Sequence, residues 1–278
     1  MSSSYQPIGV FDSGYGGLTV LKEFLSELQG YDFLYLGDNA RNPYGTRSFD
    51  VVYEYTLQAV NELFNRGCHL VILACNTASA KALRTIQQTD LPQLAPNKRV
   101  LGVIRPSVEC AGELTKNGHI GIVATSGTVA SSSYPIELEK WSDGKVKQTT
   151  QQACPMWVPI VENDEIGTVG ADYFIEKDLK QLFEKDPEID SLILGCTHYP
   201  LLLDSIRKYI PKPNVTIIEQ GKIVAASLQD YLKRHPEMEQ NCTKGGSVTY
   251  LTTEQVELFE TRARQFMGQE VKAQKIHL

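Results

Sequence analysis

The feature that most constrains this fold is a repeated motif, an apolar run that ends in cysteine and other polar residues. The motif occurs as HLVILACNT (69–77) and again as DSLILGCTH (190–198). A second pair of similar runs precedes these two, IGVFDSG (8–14) and IGIVATSG (120–127). Repetition on this scale predicts two related halves built on one plan. A chance coincidence of short apolar strands is the alternative explanation, because buried strands in such folds look alike.

Short apolar runs alternate with longer helical patterns along the whole chain. The predicted strands are 8–11, 33–36, 70–74, 100–104, 120–124, 191–194 and 215–218. The predicted helices lie near 17–28, 50–66, 78–89, 127–140, 165–184, 200–209, 221–234 and 254–267. This alternation is typical of βα units. It predicts an α/β fold with two pseudo-symmetric domains, in which mainly parallel sheets are flanked by helices and the active site lies in the cleft between them.

Length and composition exclude several classes of protein. A chain of 278 residues is long enough for two domains with cores of their own. The net charge of −6 comes without a basic stripe, which argues against nucleic acid as a main partner. No run approaches the ~18 apolar residues of a membrane span. The first residues lack the charge and apolar core of a signal peptide, so we expect a cytoplasmic protein, whose six cysteines are thiols.

Cys75 and Cys196 are the sharpest candidates for catalysis, since each follows a strand and precedes a helix. Ligands in open parallel sheets bind beyond the carboxyl ends of the strands. A helix N-terminus lowers a thiol pKa below its free value of ~8.5, which makes the thiol a usable base. A buried, inert cysteine is the alternative and is favoured for one such residue alone. Two cysteines at matched positions of a repeat favour the functional interpretation.

Asp12 follows the first strand and has two interpretations. It is either a carboxylate held near a reacting centre or the cap of the helix that begins near Gly17. The neighbouring Gly14 and Gly16 permit a tight turn and close approach to an anionic ligand. They match a dinucleotide fingerprint only in part, because Thr19 stands where a third glycine is needed.

Three further residues are candidates with structural alternatives. Tyr44 lies in a Pro-Tyr-Gly turn that turn chemistry alone would explain. His198 stands two residues after Cys196, where it can influence the thiol or donate a proton, although a lone histidine is more often structural. Glu162 follows an apolar run and is either a carboxylate of the site or a surface residue. No metal site is predicted, because Cys196 and His198 lack further ligands at metal-like spacing.

Several segments together resemble the glutamate racemase family. They are FDSGYGGLTV (11–20), YLGD (35–38), PYG (43–45), ACNTA (74–78), ACP (153–155), VPIVE (158–162) and LGCTHYP (194–200). The similarity runs from about residue 8 to about residue 266, nearly the whole chain. The pair of cysteine motifs is its most diagnostic part.

The resemblance implies a fold, an activity and a set of site residues. It implies a first domain of 1–98 plus 211–278 and a second of 99–210, facing each other across a cleft. Cys75 and Cys196 would be the two bases, with Asp12 assisting the first and Glu162 with His198 assisting the second. The substrate contacts would be Asp12, Ser13, Tyr44, Gly45, Asn76, Thr77, Thr197 and His198.

The implied reaction interconverts L- and D-glutamate and supplies D-glutamate for peptidoglycan synthesis. We expect neither pyridoxal phosphate nor a metal, because no lysine stands at a strand end among the matched motifs and no cluster of metal ligands is found in the sequence. The partners expected are glutamate and, as a homodimer, a second copy of the chain, with no membrane. Three alternatives stay open: an aspartate racemase of the same family, a cysteine hydrolase, and a non-catalytic two-lobed amino-acid-binding protein. A hydrolase would leave the second cysteine unexplained, and two-lobed binding proteins usually carry a signal peptide.

Overall fold

The computed structural model describes residues 5–278 and contains two parallel β-sheets flanked by helices. The strands are β1 (Ile8–Asp12), β2 (Phe33–Gly37), β3 (Leu70–Leu73), β4 (Arg99–Gly102), β5 (His119–Ala124), β6 (Gln148–Ala153), β7 (Ser191–Gly195), β8 (Thr216–Ile218), β9 (Val248–Thr252) and β10 (Ala273–Lys275). One sheet has the order β10-β9-β2-β1-β3-β4 and the other the order β6-β5-β7-β8. Central strands such as β1, β2, β3 and β7 are buried along their full length, which explains their continuous apolar sequences.

Helices connect the strands and cover the sheets. They are α1 (Gly17–Glu27), α2 (Phe49–Asn65), α3 (Asn76–Lys81), α4 (Leu83–Thr85), α5 (Leu91–Leu94), α6 (Ile104–Leu114), α7 (Ser126–Ala130), α8 (Ser133–Trp141), α9 (Trp157–Glu162), α10 (Val169–Lys185), α11 (Leu203–Tyr209), α12 (Gln220–Arg234), α13 (Pro236–Glu239) and α14 (Val256–Met267). Short 3₁₀ turns lie at Asn39–Arg41 and Tyr199–Leu202, and a π turn at Ile86–Asp90. The longest helices begin at hydroxyl caps; Thr168, for example, accepts from the Ala171 N–H at 3.2 Å.

The two halves repeat one strand order, as the sequence predicts. The order β2-β1-β3-β4 in the first sheet corresponds to β6-β5-β7-β8 in the second. The repeated apolar runs form the same pair of neighbours in each, β1 beside β3 and β5 beside β7. The prediction of an α/β fold with two pseudo-symmetric halves is therefore confirmed.

Strand pairing assigns two segments differently from the predicted division into 1–98 plus 211–278 and 99–210. β4 lies after the first boundary but pairs with β3, and β8 lies after the second boundary but pairs with β7. The chain therefore passes between the sheets later than predicted on both occasions. The apolar sequences of β4 and β8 suit either sheet. Their places are decided by the neighbouring strands with which they pair, β3 and β7. As a statement about folding units, the division stays a prediction.

Several strands were missed or wrongly bounded by the sequence analysis. β6 reads QTTQQA and is polar because it is an edge strand that pairs only with β5, and its buried positions alternate with partly exposed ones. The predicted strand 100–104 ends at Gly102, and Ile104 opens α6 instead. β9 and β10, which extend the first sheet beyond β2, were not predicted. Across residues 5–278, no helix combines the length and apolarity needed to cross a bilayer.

Candidate active site

A cavity of about 110 Å³ lies among the carboxyl ends of strands from both sheets. One water molecule needs only about 10–15 Å³ of such space, so the cavity suits a small molecule. Its walls include ten of the predicted site residues: Asp12, Ser13, Tyr44, Gly45, Cys75, Asn76, Thr77, Cys196, Thr197 and His198. Glu162, the remaining predicted residue, lies behind His198, with its carboxylate 2.9 Å from the imidazole. The fold thus brings the whole predicted set together, while the roles of its members stay predictions.

Cys75 sits at the end of β3 and caps α3. Its sulfur accepts from the Ala78 N–H at 3.4 Å and lies 3.3 Å from the Ser13 hydroxyl. Burial, followed by the negative charge of Asp12, raises the pKa of the Cys75 thiol to about 12, although both hydrogen bonds act to lower it. The expectation that the helix N-terminus would lower this pKa is wrong, because desolvation of a buried thiolate outweighs the helix end. Cys75 therefore carries its proton near neutral pH.

Asp12 is buried in the turn between β1 and α1. Its carboxylate accepts from the Gly14 N–H at 2.9 Å, and Gly16, not Asp12, occupies the cap position of α1. Burial raises the pKa of Asp12, an effect opposed by the nearby His198 charge and by the backbone N–H groups. A Cβ at Gly17 would lie 2.5 Å from the Cβ of Asp12, so glycine is needed there for the helix to start so close to the strand end.

A chain of polar contacts supports Cys196, which follows β7. The sulfur of Cys196 lies 3.7 Å from His198 Nδ1, and His198 Nε2 lies 2.9 Å from Glu162 Oε1. Burial by itself would lower the pKa of His198, but its hydrogen bonds to Cys196 and Glu162 raise it to about 10. The imidazole is therefore protonated at neutral pH, and both of its nitrogens donate. The two thiols therefore differ in the charged group beside them, an imidazolium for Cys196 and a carboxylate for Cys75.

Sequence reasoning missed Asn42, which completes this chain. The Asn42 amide donates to both oxygens of Glu162, at 3.0 and 2.9 Å. Asn42 lines the cavity and immediately precedes the Pro-Tyr-Gly turn. Its position beside that turn was the available signal, but an asparagine before a proline is common in turns.

Tyr44 is buried and held by a polar cluster beneath the cavity wall. Its hydroxyl donates to Asp38, which also accepts from the Arg41 guanidinium at 2.6 Å and from the Thr253 hydroxyl at 2.9 Å. Asp38, which directly follows β2, thus ties the loop that carries Tyr44 to the end of β9. Gly45, in the same loop, contacts the second half, because its carbonyl accepts from the Gly127 N–H at 2.8 Å.

The side chain of Asn76 is engaged by other protein groups. Its amide donates to Gln220 Oε1 at 2.6 Å, and its carbonyl accepts from the Tyr134 hydroxyl at 2.7 Å. The next residue, Thr77, has its hydroxyl 3.0 Å from that of Thr125 in the other half. Of these two predicted substrate contacts, Thr77 is the better placed to bind a ligand, because its hydroxyl can rotate to a new partner while both ends of the Asn76 amide are occupied.

Considered as a whole, the cavity has titratable side chains at two strand ends. Each half contributes a thiol, one beside a carboxylate and the other beside an imidazolium with its own carboxylate. Both thiols are at most 7% exposed, so they lie away from bulk water. For the part of the chain described, no three His, Cys, Asp or Glu side chains are grouped as metal ligands would be. The arrangement suits proton transfer to and from a small molecule held between the thiols.

In sequence, the chain is similar to known racemases. A model of the Asp/Glu/Hydantoin racemase family matches residues 19–228. Glutamate racemase from Ruegeria sp. (strain TM1040) is 40% identical over 274 residues, covering 95% of this chain and 97% of the relative. The enzyme from Persephonella marina is 39% identical over 272 residues, covering 98% and 97%.

Solved structures of glutamate racemases superpose on nearly the whole chain. An isoform from Bacillus anthracis gives a TM-score of 0.88 at 33% identity, covering 99% of both chains. The enzyme from Francisella tularensis, solved in complex with D-glutamate, gives a TM-score of 0.85 at 29% identity, covering 99% of this chain and 98% of that one. The chain belongs to the Asp/Glu/hydantoin racemase family of isomerases, as a relative of the glutamate racemases.

Proposed function

We propose that this protein interconverts L- and D-glutamate without a cofactor, using Cys75 and Cys196 as the two proton-transfer groups. The observation that carries the proposal is that two cysteines at equivalent strand ends of a repeated architecture line one small cavity. Racemisation needs removal of the α-proton from one face of the substrate and return of a proton to the other. A pair of groups from two facing halves meets this need directly.

In the direction from L- to D-glutamate, Cys196 as thiolate first removes the α-proton to leave a carbanion, and the Cys75 thiol then donates its proton to the opposite face. The Cα–H bond breaks, a new Cα–H bond forms, and the negative charge passes from Cys196 to Cys75. The raised pKa of Cys75 suits the donor, and the cationic His198 suits the base. The reverse direction exchanges the two roles, and proton exchange with solvent resets the thiols.

The remaining polar groups would hold the substrate and stabilise the charge that develops on it. Backbone N–H groups at the starts of α3 and α7, with the hydroxyls of Ser13, Thr77 and Thr197, are donors of the kind that stabilise a carboxylate and a carbanionic transition state. Fixed donors in a dry cavity are effective because they need no reorganisation during the reaction.

Glutamate is proposed over aspartate because the relatives in sequence and structure are glutamate racemases. A site built to bind the longer side-chain carboxylate would leave buried donors unpaired when it holds the shorter one, which discriminates strongly. We expect kcat/KM for L-glutamate to exceed that for L-aspartate by at least about 100-fold. Comparable values, measured by circular dichroism of the amino acids, would instead favour the aspartate racemase.

The decisive test of the mechanism is isotope incorporation during early turnover in D2O. Because a thiol carries one proton, the product receives its proton from the cysteine that has exchanged with solvent. We expect deuterium in the product enantiomer and almost none in the remaining starting enantiomer, measured by mass spectrometry after chiral separation. Early deuterium in the recovered substrate at the product's level would show that one base serves both faces.

The proposal extends to the cellular role and to assembly, where its support is the resemblance to the family. D-glutamate made by this reaction would supply peptidoglycan synthesis in the cytoplasm, and the active species would be a homodimer. Analytical ultracentrifugation of the purified protein tests the assembly, and growth of a depleted strain with and without added D-glutamate tests the role. Exhaustive chelation is expected to leave the activity unchanged.

A further inference from the structure

We propose that Asn42 is a positioning residue that joins the first half to the catalytic apparatus of the second and acts on only one of the two bases. By orienting Glu162, it orients His198 and so controls proton transfer at Cys196, while proton transfer at Cys75 does not depend on it. The inference rests on the proposed function, because it concerns how one of the two bases is prepared.

The contacts define a continuous path from one half to the other. Asn42 belongs to the loop after the first-half turn Asn39–Arg41, whereas Glu162 ends α9 in the second half. The amide nitrogen of Asn42 lies 3.0 and 2.9 Å from the two carboxylate oxygens, and Glu162 Oε1 lies 2.9 Å from His198 Nε2. His198 Nδ1 then faces the Cys196 sulfur at 3.7 Å.

Close packing restricts the pair to this arrangement. A Cβ placed on Gly14 would lie 3.2 Å from the Asn42 amide nitrogen and 3.2 Å from Glu162 Oε1. The backbone at Gly14 therefore forms a wall against which both side chains rest. Gly14 also donates to Asp12, so the wall itself is anchored to β1.

The chemistry of an amide suits the task. Its N–H group fixes the direction of the Glu162 carboxylate while carrying no charge, so it does not compete with the His198 imidazolium for that carboxylate. A lysine or arginine at the same place would form its own ion pair with Glu162. When Asn42 is absent, the carboxylate loses its partner on the first-half side and can rotate away from the imidazole.

The other base has different support. Cys75 contacts the Ser13 hydroxyl and the Ala78 N–H, and its nearest charge is Asp12. None of these groups is hydrogen-bonded to Asn42 among the contacts of residues 5–278. Removal of Asn42 is thus expected to slow proton transfer on one face of the substrate only.

Ordinary rates cannot reveal such an asymmetry. Two enantiomers have equal free energies in water, so any variant must lower kcat/KM equally in both directions. The α-deuterium isotope effect on kcat/KM does reveal it, because the effect is large only when cleavage of the labelled bond limits the rate. If transfer at Cys196 becomes limiting, the isotope effect increases for the enantiomer whose proton Cys196 removes and decreases for the other.

The test compares α-deuterated L- and D-glutamate with the wild type and with Asn42→Ala. We expect Asn42→Ala to lower kcat/KM about 10- to 100-fold, to raise the isotope effect with L-glutamate and to lower it with D-glutamate. Asn42→Asp, which places a carboxylate against Glu162, should shift the two isotope effects in the same directions and provides a second variant. Two reference variants calibrate the test. His198→Asn should shift the isotope effects as expected for slower proton transfer at Cys196, and Asp12→Asn should shift them in the opposite directions.

Asn163→Ala is the matched control. Asn163 is the exposed residue after Glu162, and its amide donates to the Pro159 carbonyl, so kcat/KM and both isotope effects should match the wild type. The inference is overturned if Asn42→Ala keeps wild-type kcat/KM, changes both isotope effects alike, or shifts them as Asp12→Asn does. A wild type that puts deuterium into recovered substrate would overturn the proposed function itself, which distinguishes the two failures.

Discussion

At the scale of single residues, equivalent positions in the two halves have acquired different chemistry. Cys75 lies beside a carboxylate and Cys196 beside an imidazolium, although both follow the same strand of the repeat. The two thiols therefore differ in the sign of the charge beside them. The proposed two-base mechanism makes use of such a difference, because one thiol has to accept a proton and the other has to donate one.

Replacing either thiol by a hydroxyl tests this assignment. Cys75→Ser and Cys196→Ser should each lower kcat by roughly 100- to 10,000-fold, because a serine hydroxyl is a far weaker base than a thiolate. Activity is measured by circular dichroism with L- and D-glutamate. Cys110→Ser, which changes a thiol on α6 outside the cavity, should keep wild-type activity. Full activity in Cys196→Ser would remove this residue from the mechanism.

At the scale of elements, the start of α1 has to approach the loop after β7 very closely. A Cβ on Gly16 would lie 2.4 Å from both the His198 Nδ1 and the Thr197 hydroxyl. The backbone at Gly16 is right-handed helical, with φ of −58°, so an alanine there meets a steric obstacle and no backbone strain. Glycine is needed at this point because it lets a first-half helix touch the second-half site.

Gly16→Ala is therefore expected to displace His198 and to reduce kcat/KM by at least about tenfold. The measurements are steady-state racemisation and urea unfolding. We expect the free energy of unfolding to change by a smaller fraction than kcat/KM does. Gly30→Ala provides the comparison, because a Cβ at Gly30 would have no other heavy atom of residues 5–278 within 4 Å beyond its chain neighbours. Its activity should therefore be unchanged. Equal activity in the two variants would contradict the close approach.

At the scale of the whole molecule, a buried polar network holds helices of the two halves together. The Gln220 amide, at the start of α12, donates to the Tyr134 hydroxyl of α8 and to the Ser107 hydroxyl of α6, both at 2.9 Å. Tyr134 and Gln220 both bond Asn76 at the start of α3. Because Asn76 directly follows Cys75, the same hydrogen bonds that stabilise the contact between the two halves also hold Cys75 in place.

Tyr134→Phe should lower the free energy of unfolding by about 1–3 kcal/mol, because buried groups of Asn76 and Gln220 lose a partner. Urea denaturation followed by circular dichroism measures the change. Tyr173→Phe removes a hydroxyl from a side chain that is 59% exposed, and its effect should be near zero. If Tyr134→Phe unfolds at the wild-type urea concentration, the network does not stabilise the protein.

The amino-acid sequence by itself determined the features that depend on local pattern. The apolar parts of runs such as 8–14 and 69–77 form buried strands, and the repetition of these runs predicted two related halves with cysteines at matched strand ends. The candidate residues at those ends followed because polar groups after parallel strands meet at one edge.

Only the tertiary structure decided what depends on contacts between distant segments. Strand pairing placed β4 and β8, whose apolar sequences suit either sheet, and it produced the polar strand β6 at an edge. The pKa of Cys75 increased through burial, against the local effect of a helix end. Asn42 met Glu162 across the cleft. Burial and electrostatic interactions sum over neighbours in space, and the order of residues along the chain does not name those neighbours.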